Sequence, residues 1–102
     1  YRRFYMHRTS HWLGMDVHDV GSYREQIENS DQADKPWRIL QSGMVITVEP
    51  GLYVRPADDV DQAFWNIGIR IEDDAVINDS GCELISRGVP VKADEIEALM
   101  KS

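Results

Sequence analysis

Two β-rich stretches constrain this chain more than any other feature: "GMVITVEPGLYV", beginning at Gly43, and "IGIRIEDDAVI", beginning at Ile67. Both alternate with a period of two, the repeat of an extended strand whose side chains point to opposite faces. In the first, Val45, Thr47 and Glu49 share a face opposite Met44, Ile46 and Val48, and Pro50-Gly51 then breaks the strand before a second extended piece. In the second, Ile67, Ile69 and Ile71 fall on one face, and Gly68, Arg70 and Glu72 on the other. If the two strands pair antiparallel, Glu49 and Glu72 converge on one point.

Shorter signals fill in the rest. Residues 1–6, "YRRFYM", read as a strand or the end of one. From His7 to His18 a helix would be interrupted by Gly14, and Met15-Asp-Val-His alternates, so turn and extended backbone are expected. Gly21 to Pro36 is polar and acidic and reads as a surface loop. Asp79-Ser80-Gly81 marks a turn, "CELIS" a short final strand, and Ala93 to Met100 a helix after Pro90. The expected class is α+β: mainly antiparallel strands with a C-terminal helix, forming a single partial domain over residues 1–102. The opening on "YRRFYM" rather than on Met adds the expectation of a fragment of something longer.

Composition narrows the function. With 18 acidic against 11 basic residues the net charge is −7, a field that repels phosphate backbones, so nucleic acid is not an expected partner. The longest apolar run, around Met44 to Val48, is far short of the ~20 residues a spanning helix needs, and no membrane association is expected. Cys82 is the only cysteine, so neither an internal disulfide nor a four-thiolate zinc site can form; a reducing cytoplasm fits.

All three histidines, His7, His11 and His18, lie in one twelve-residue stretch, "HRTSHWLGMDVH". Two carboxylates converging beside an imidazole make a plausible oxygen-rich metal site, and such a donor set selects harder divalent ions such as manganese. Further histidines nearby would bind substrate and exchange protons near neutral pH. Plainer readings exist for each residue: a histidine is commonly a satisfied polar group at a surface, lone strand glutamates are commonly solvated, Arg70 would form a surface ion pair worth little, and Trp12 and Tyr53 would serve packing. Cys82, without a neighbouring base, reads as a free structural thiol.

Three motifs taken in order, "HRTSHWLGMDVHDVG", "GMVITVEPGLY" and "GIRIEDD", closely resemble the C-terminal catalytic half of aminopeptidase P, the Xaa-Pro aminopeptidase. The resemblance extends to the closing "EIEALM" and implies the pita-bread fold shared with methionine aminopeptidase, prolidase and creatinase. It also implies two divalent metal ions, usually manganese, and hydrolysis of peptides with proline in second position. On that resemblance His11 and Glu49 look like metal ligands, and Glu72 like a carboxylate shared by both ions. His18 looks like the group that hydrogen-bonds the substrate or its tetrahedral intermediate, and His7 like the histidine beside the proline pocket. Arg70 and Tyr53 resemble groups that orient the metal-binding carboxylates.

One position departs from the family pattern, Arg8 standing where glycine is frequent, and the family's two upstream aspartates and upstream histidine are absent. The isolated chain is therefore expected to bind metal weakly, to be inactive, and to self-associate as a homo-oligomer through apolar surface left uncovered. Prolidase is the nearest alternative, since it shares "DVHD" and "VEPG". A non-catalytic pita-bread interaction module is another, though such modules usually lose their metal ligands first.

Overall fold

The computed structural model describes residues 1–31 and 33–101. Residues 1–6 form a turn and not the expected strand: the N–H groups of Phe4 and Tyr5 both donate to the Tyr1 carbonyl, at 2.9 and 3.1 Å. From this curl the Phe4 carbonyl accepts from Tyr53 N–H at 2.8 Å. Alternation of aromatic and basic residues could not reveal that, because a strand exists only where a neighbour takes its hydrogen bonds.

The histidine stretch is extended and turned, as its pattern implies. Leu13–Gly14 (β1) and Val17–His18 (β2) form a short antiparallel hairpin, and Trp12 just before it bridges to Ile46. Trp12 is buried and stacks on Tyr23 at 5.7 Å, with Gly21 packed beneath its indole, so it serves packing. The acidic loop that follows folds back through a bridge between Arg24 and Trp37 and a cation–π contact of 4.0 Å between them.

Val45–Val48 (β3) and Gly51–Tyr53 (β4) flank Glu49-Pro50; Gly68–Arg70 (β5) and Asp73–Asn78 (β6) flank Ile71-Glu72. β3 pairs with β6 and β4 with β5, both antiparallel. The offset that sets Val48 against Asp73 also sets Gly51 against Arg70, so it runs unbroken across the gap and places Glu49 opposite Glu72 and Pro50 opposite Ile71. Proline has no N–H to give. Ile71 N–H donates to the Pro50 carbonyl at 3.2 Å, but nothing returns, and Glu49 N–H turns away to the Thr9 carbonyl at 2.7 Å. The run from Ile67 to Ile77, expected as one strand, is therefore two, interrupted by a proline on its partner.

Gly81–Leu84 (β7) completes a three-stranded sheet in the order β3-β6-β7, and Ala93–Met100 (α1) is the only α-helix among the described residues. Asp94 and Glu95 in its first turn complement the helix dipole. No helix among the described residues is long and apolar enough to cross a membrane.

The core is small and unusually polar. Besides Trp12 and Ala75, the buried residues among those described are Thr47, Glu49 and Asp73. The isoleucine face stands open, with Ile67 and Ile69 at 42% and 57% exposure. Asp73 accepts from Ser86 Oγ at 3.0 Å and from the Arg87 guanidinium, tying β6 to the segment after β7. Asp73→Ala strands both donors, although Arg87 is half exposed and can re-solvate. We expect a loss of about 1–3 kcal/mol, read as a lower denaturant midpoint with unchanged slope.

Candidate active site

The site is assembled where β3 ends. Thr47 is fully buried, and its N–H donates to the His11 carbonyl at 2.9 Å while its Oγ1 accepts from His11 N–H at 3.1 Å. The same hydroxyl donates to Glu49 Oε1 at 3.0 Å. Thr47 thus fixes both His11 and Glu49, a role not visible in the sequence because a threonine on the polar side of an alternating strand reads as solvent-facing.

The tautomer of His11 follows from its partners. Nδ1 lies 2.8 Å from the Trp12 carbonyl, which can only accept, so Nδ1 carries the hydrogen. Nε2 is left facing Glu49 Oε1 at 2.9 Å. Two acceptor atoms this close repel unless a cation lies between them, either a proton on Nε2 or a metal ion. Their side chains are only 12% and 10% exposed, so little solvent is present to relieve the repulsion. An imidazole nitrogen and a carboxylate oxygen oriented together in this way suit a divalent ion, the histidine being held from its far side by a backbone carbonyl.

A second, directional chain lies alongside. Arg70 Nε donates to the Tyr53 hydroxyl at 2.9 Å, and that hydroxyl donates to His7 Nε2 at 2.8 Å. His7 Nδ1 in turn donates to the Arg8 carbonyl, also at 2.8 Å. Gly51 makes this possible: a Cβ there would lie 2.5 Å from the Tyr53 hydroxyl and 2.8 Å from His7 Nε2. Arg70 Nη1 also reaches Glu49 Oε2 at 3.3 Å and Glu72 Oε2 at 3.8 Å. The hydrogen bond to Tyr53, reinforced by the charges of Glu49 and Glu72, raises the Arg70 pKa further above its already high value, so it stays cationic between the two carboxylates.

His7, His11, His18, Glu49 and Arg70 line one cleft of about 430 Å³, whose wall also includes Arg8 and Tyr23. His18 stands with its ring 4.2 Å from that of His11. Glu72 is the exception: its backbone lies opposite Glu49, but its half-exposed carboxylate turns to Arg70 and does not join His11 and Glu49. Among the described residues, no three of His, Cys, Asp and Glu gather into a metal-ligand cluster. Cys82 is exposed on β7, and its free thiol is not among the cleft-lining residues.

Antiparallel strands interrupted at a proline bring an imidazole and a carboxylate together at the break, and residues 1–79 match the model of metallopeptidase family M24. The chain belongs to that family. It is 52% identical over 100 residues to the Xaa-Pro aminopeptidase of Escherichia coli strain K12, covering 98% of this chain and 21% of that relative. It is 42% identical over 118 residues to the Xaa-Pro dipeptidase of Rattus norvegicus, covering 95% of this chain and 24% of that one. The solved aminopeptidase P from E. coli with the inhibitor Pro-Leu superimposes with a TM-score of 0.79 at 52% identity, over 97% of this chain and 20% of that one. The expected fold class, antiparallel strands with a C-terminal helix forming a portion of the pita-bread fold, therefore holds. The chain spans about a fifth of the length of the relatives it matches.

Proposed function

We propose that this chain supplies the His11–Glu49–Glu72 side of the active centre of a metal-dependent aminopeptidase that releases the first residue from peptides with proline in second position. The observation that carries this reading is the pairing of His11 Nε2 with Glu49 Oε1 at 2.9 Å, two acceptors poised for a shared cation. His11 and Glu49 would hold the metal, and Glu72, directly opposite in register, would join them by a side-chain rotation away from Arg70. Two divalent ions are proposed, with manganese suited to imidazole and carboxylate donors without thiolate. Such ions supply Lewis acidity and activate water near neutral pH.

The chain's own residues account for the remainder. His18 presents its imidazole to the cleft for hydrogen bonding to the substrate. His7, its Nε2 already engaged by Tyr53, offers a ring face and a fixed position to the residue after the scissile bond. An Xaa-Pro bond carries no N–H, so recognition there must come from shape, which a rigid imidazole–phenol wall provides. Arg70 holds Tyr53 and keeps Glu49 and Glu72 from repelling one another when the cations are absent. We also propose a cytoplasmic setting, in keeping with the exposed free thiol of Cys82, and self-association of the isolated chain through the open isoleucine face.

The test is release of the N-terminal residue from an Xaa-Pro-Xaa peptide with manganese present, by the whole protein that carries this chain and by residues 1–102 alone. Turnover by the former, lost in Glu72→Ala, and none by the latter are expected; a whole protein inert towards such peptides overturns the reading. Prolidase activity is the second reading, favoured by the likeness to Xaa-Pro dipeptidase at lower identity. It predicts cleavage of Xaa-Pro dipeptides in preference to longer peptides.

A further inference from the structure

Val17 occupies a backbone conformation that its side chain disfavours. Its φ is +71°, and the N–H of His18 donates to the carbonyl of Asp16 at 2.8 Å. A bond from residue i+2 to residue i around a positive φ is the γ-turn in its rarer, strained form. A β-branched residue is poorly suited to it, since the Cβ substituents crowd the neighbouring peptide groups. Packing does not explain the choice, because Val17 is 56% exposed.

The turn is imposed from both sides. Before it, Gly14 pairs with Val17 and Leu13 with His18. After it, Asp19 N–H donates to the Trp12 carbonyl at 3.0 Å, and Asp19 packs so closely on Gly14 that a Cβ there would lie 2.8 Å from its own. Trp12 is in turn anchored to β3. Strained residues persist where their surroundings over-determine them, and such places concentrate at functional sites.

The consequence falls on His18. His7 and His11 each have a ring nitrogen tied to a backbone carbonyl. His18 has no such tie: among the described residues neither of its ring nitrogens is hydrogen-bonded, and the one ring paired with its own is that of His11. Its direction is therefore set by its backbone, and its backbone by the turn at Val17. We infer that Val17 is a positioning residue, whose narrow positive-φ well aims the His18 imidazole into the cleft and leaves both ring nitrogens free for substrate. This rests on the proposed peptidase function for its kinetic expression, but not for its structural one.

The experiment uses the whole protein carrying Val17→Gly and Val17→Ile, each alone and together with His18→Ala. Glycine accepts the turn but widens the well, so kcat on an Xaa-Pro-Xaa peptide should fall about 10-fold with KM nearly unchanged and a Tm no lower than that of the unsubstituted protein. Isoleucine, with the same branching, should keep kcat. In the His18→Ala background Val17→Gly should cost nothing further, since a residue acting through His18 has nothing left to position. An unchanged kcat in Val17→Gly, or the same 10-fold loss with and without His18, overturns the inference. NMR of the histidine rings gives a reading independent of substrate: Val17→Gly should loosen His18 while His7 and His11 stay as they were. If the unsubstituted protein is inert, the peptidase reading fails by itself, and the NMR outcome alone decides the role of Val17.

Discussion

Glu49→Ala should abolish hydrolysis of Xaa-Pro-Xaa peptides in the whole protein, with a loss of at least about 10³-fold in kcat/KM, because one carboxylate serves three partners at once. Its Oε1 faces His11 Nε2 and accepts from Thr47 Oγ1, its Oε2 meets Arg70, and its backbone N–H anchors the strand end to Thr9. Only the backbone contact survives the substitution. The buried Thr47 hydroxyl loses its acceptor, and Arg70 keeps Tyr53 and, among the two carboxylates, only Glu72. Leaving that buried donor without an acceptor costs about 1–3 kcal/mol, so a fall in stability should accompany the loss of activity. Glu49→Gln separates the two effects. The amide keeps an acceptor oxygen for Thr47 but cannot bind a divalent ion as a carboxylate does, so most of the stability should return while activity stays lost. Manganese titration followed by thermal unfolding provides the check, as only the unsubstituted protein should gain Tm with the ion. A Glu49→Gln protein that still gains Tm and still turns over would remove Glu49 from the metal site.

Gly51→Ala is the second large effect, and it reaches the site without touching a proposed ligand. The added methyl would lie 2.5 Å from the Tyr53 hydroxyl and 2.8 Å from both His7 Nε2 and Tyr53 Cε2, contacts no structure sustains. Tyr53 must swing away, breaking the chain that runs from Arg70 through its hydroxyl to His7. Activity should drop by about 10–100-fold, the usual effect of losing groups that orient a metal site's residues. Tyr53→Phe offers the comparison. It removes the hydroxyl but leaves the ring, so it should reproduce much of the kinetic loss with a smaller loss of Tm. If Gly51→Ala lowers stability but leaves kcat/KM intact, the Arg70–Tyr53–His7 chain has no part in catalysis.

The pattern of the chain reveals much of this, and each place where it does not has a physical cause. Alternation marks β3, β4 and the strands that pair with them, and the expected antiparallel pairing holds, though it brings the backbones of Glu49 and Glu72 level without making their carboxylates converge. What alternation could not tell is where each side chain turns once its backbone is placed. Glu72 follows the charge of Arg70, the nearest cation, and so stands apart from His11. The division of the 67–77 run was hidden because its cause, the missing N–H of Pro50, lies on another strand. The curl of residues 1–6 and the burial of Thr47 were hidden for a related reason: both depend on which backbone groups lie alongside, and no local pattern encodes that. The three histidines were found by their clustering. Their different degrees of restraint, two tied to carbonyls and one held only by a strained turn, depend on backbone groups that the fold brings alongside.

The unbroken register across the proline gap has a consequence for how such a chain can change length. Between Val48 and Gly51 on one side, and between Arg70 and Asp73 on the other, matched two-residue steps carry the offset through. Adding or deleting a residue in either step would slide one carboxylate past the other and reverse which faces meet. The connection from Val54 to Ile67 bears no such restriction, since both of its ends are clamped by pairing beyond it. Insertions there can accumulate freely while the two acidic positions stay level, so spacing along the sequence is a poor guide to the integrity of the site, and the tetrapeptide frames around it are a good one.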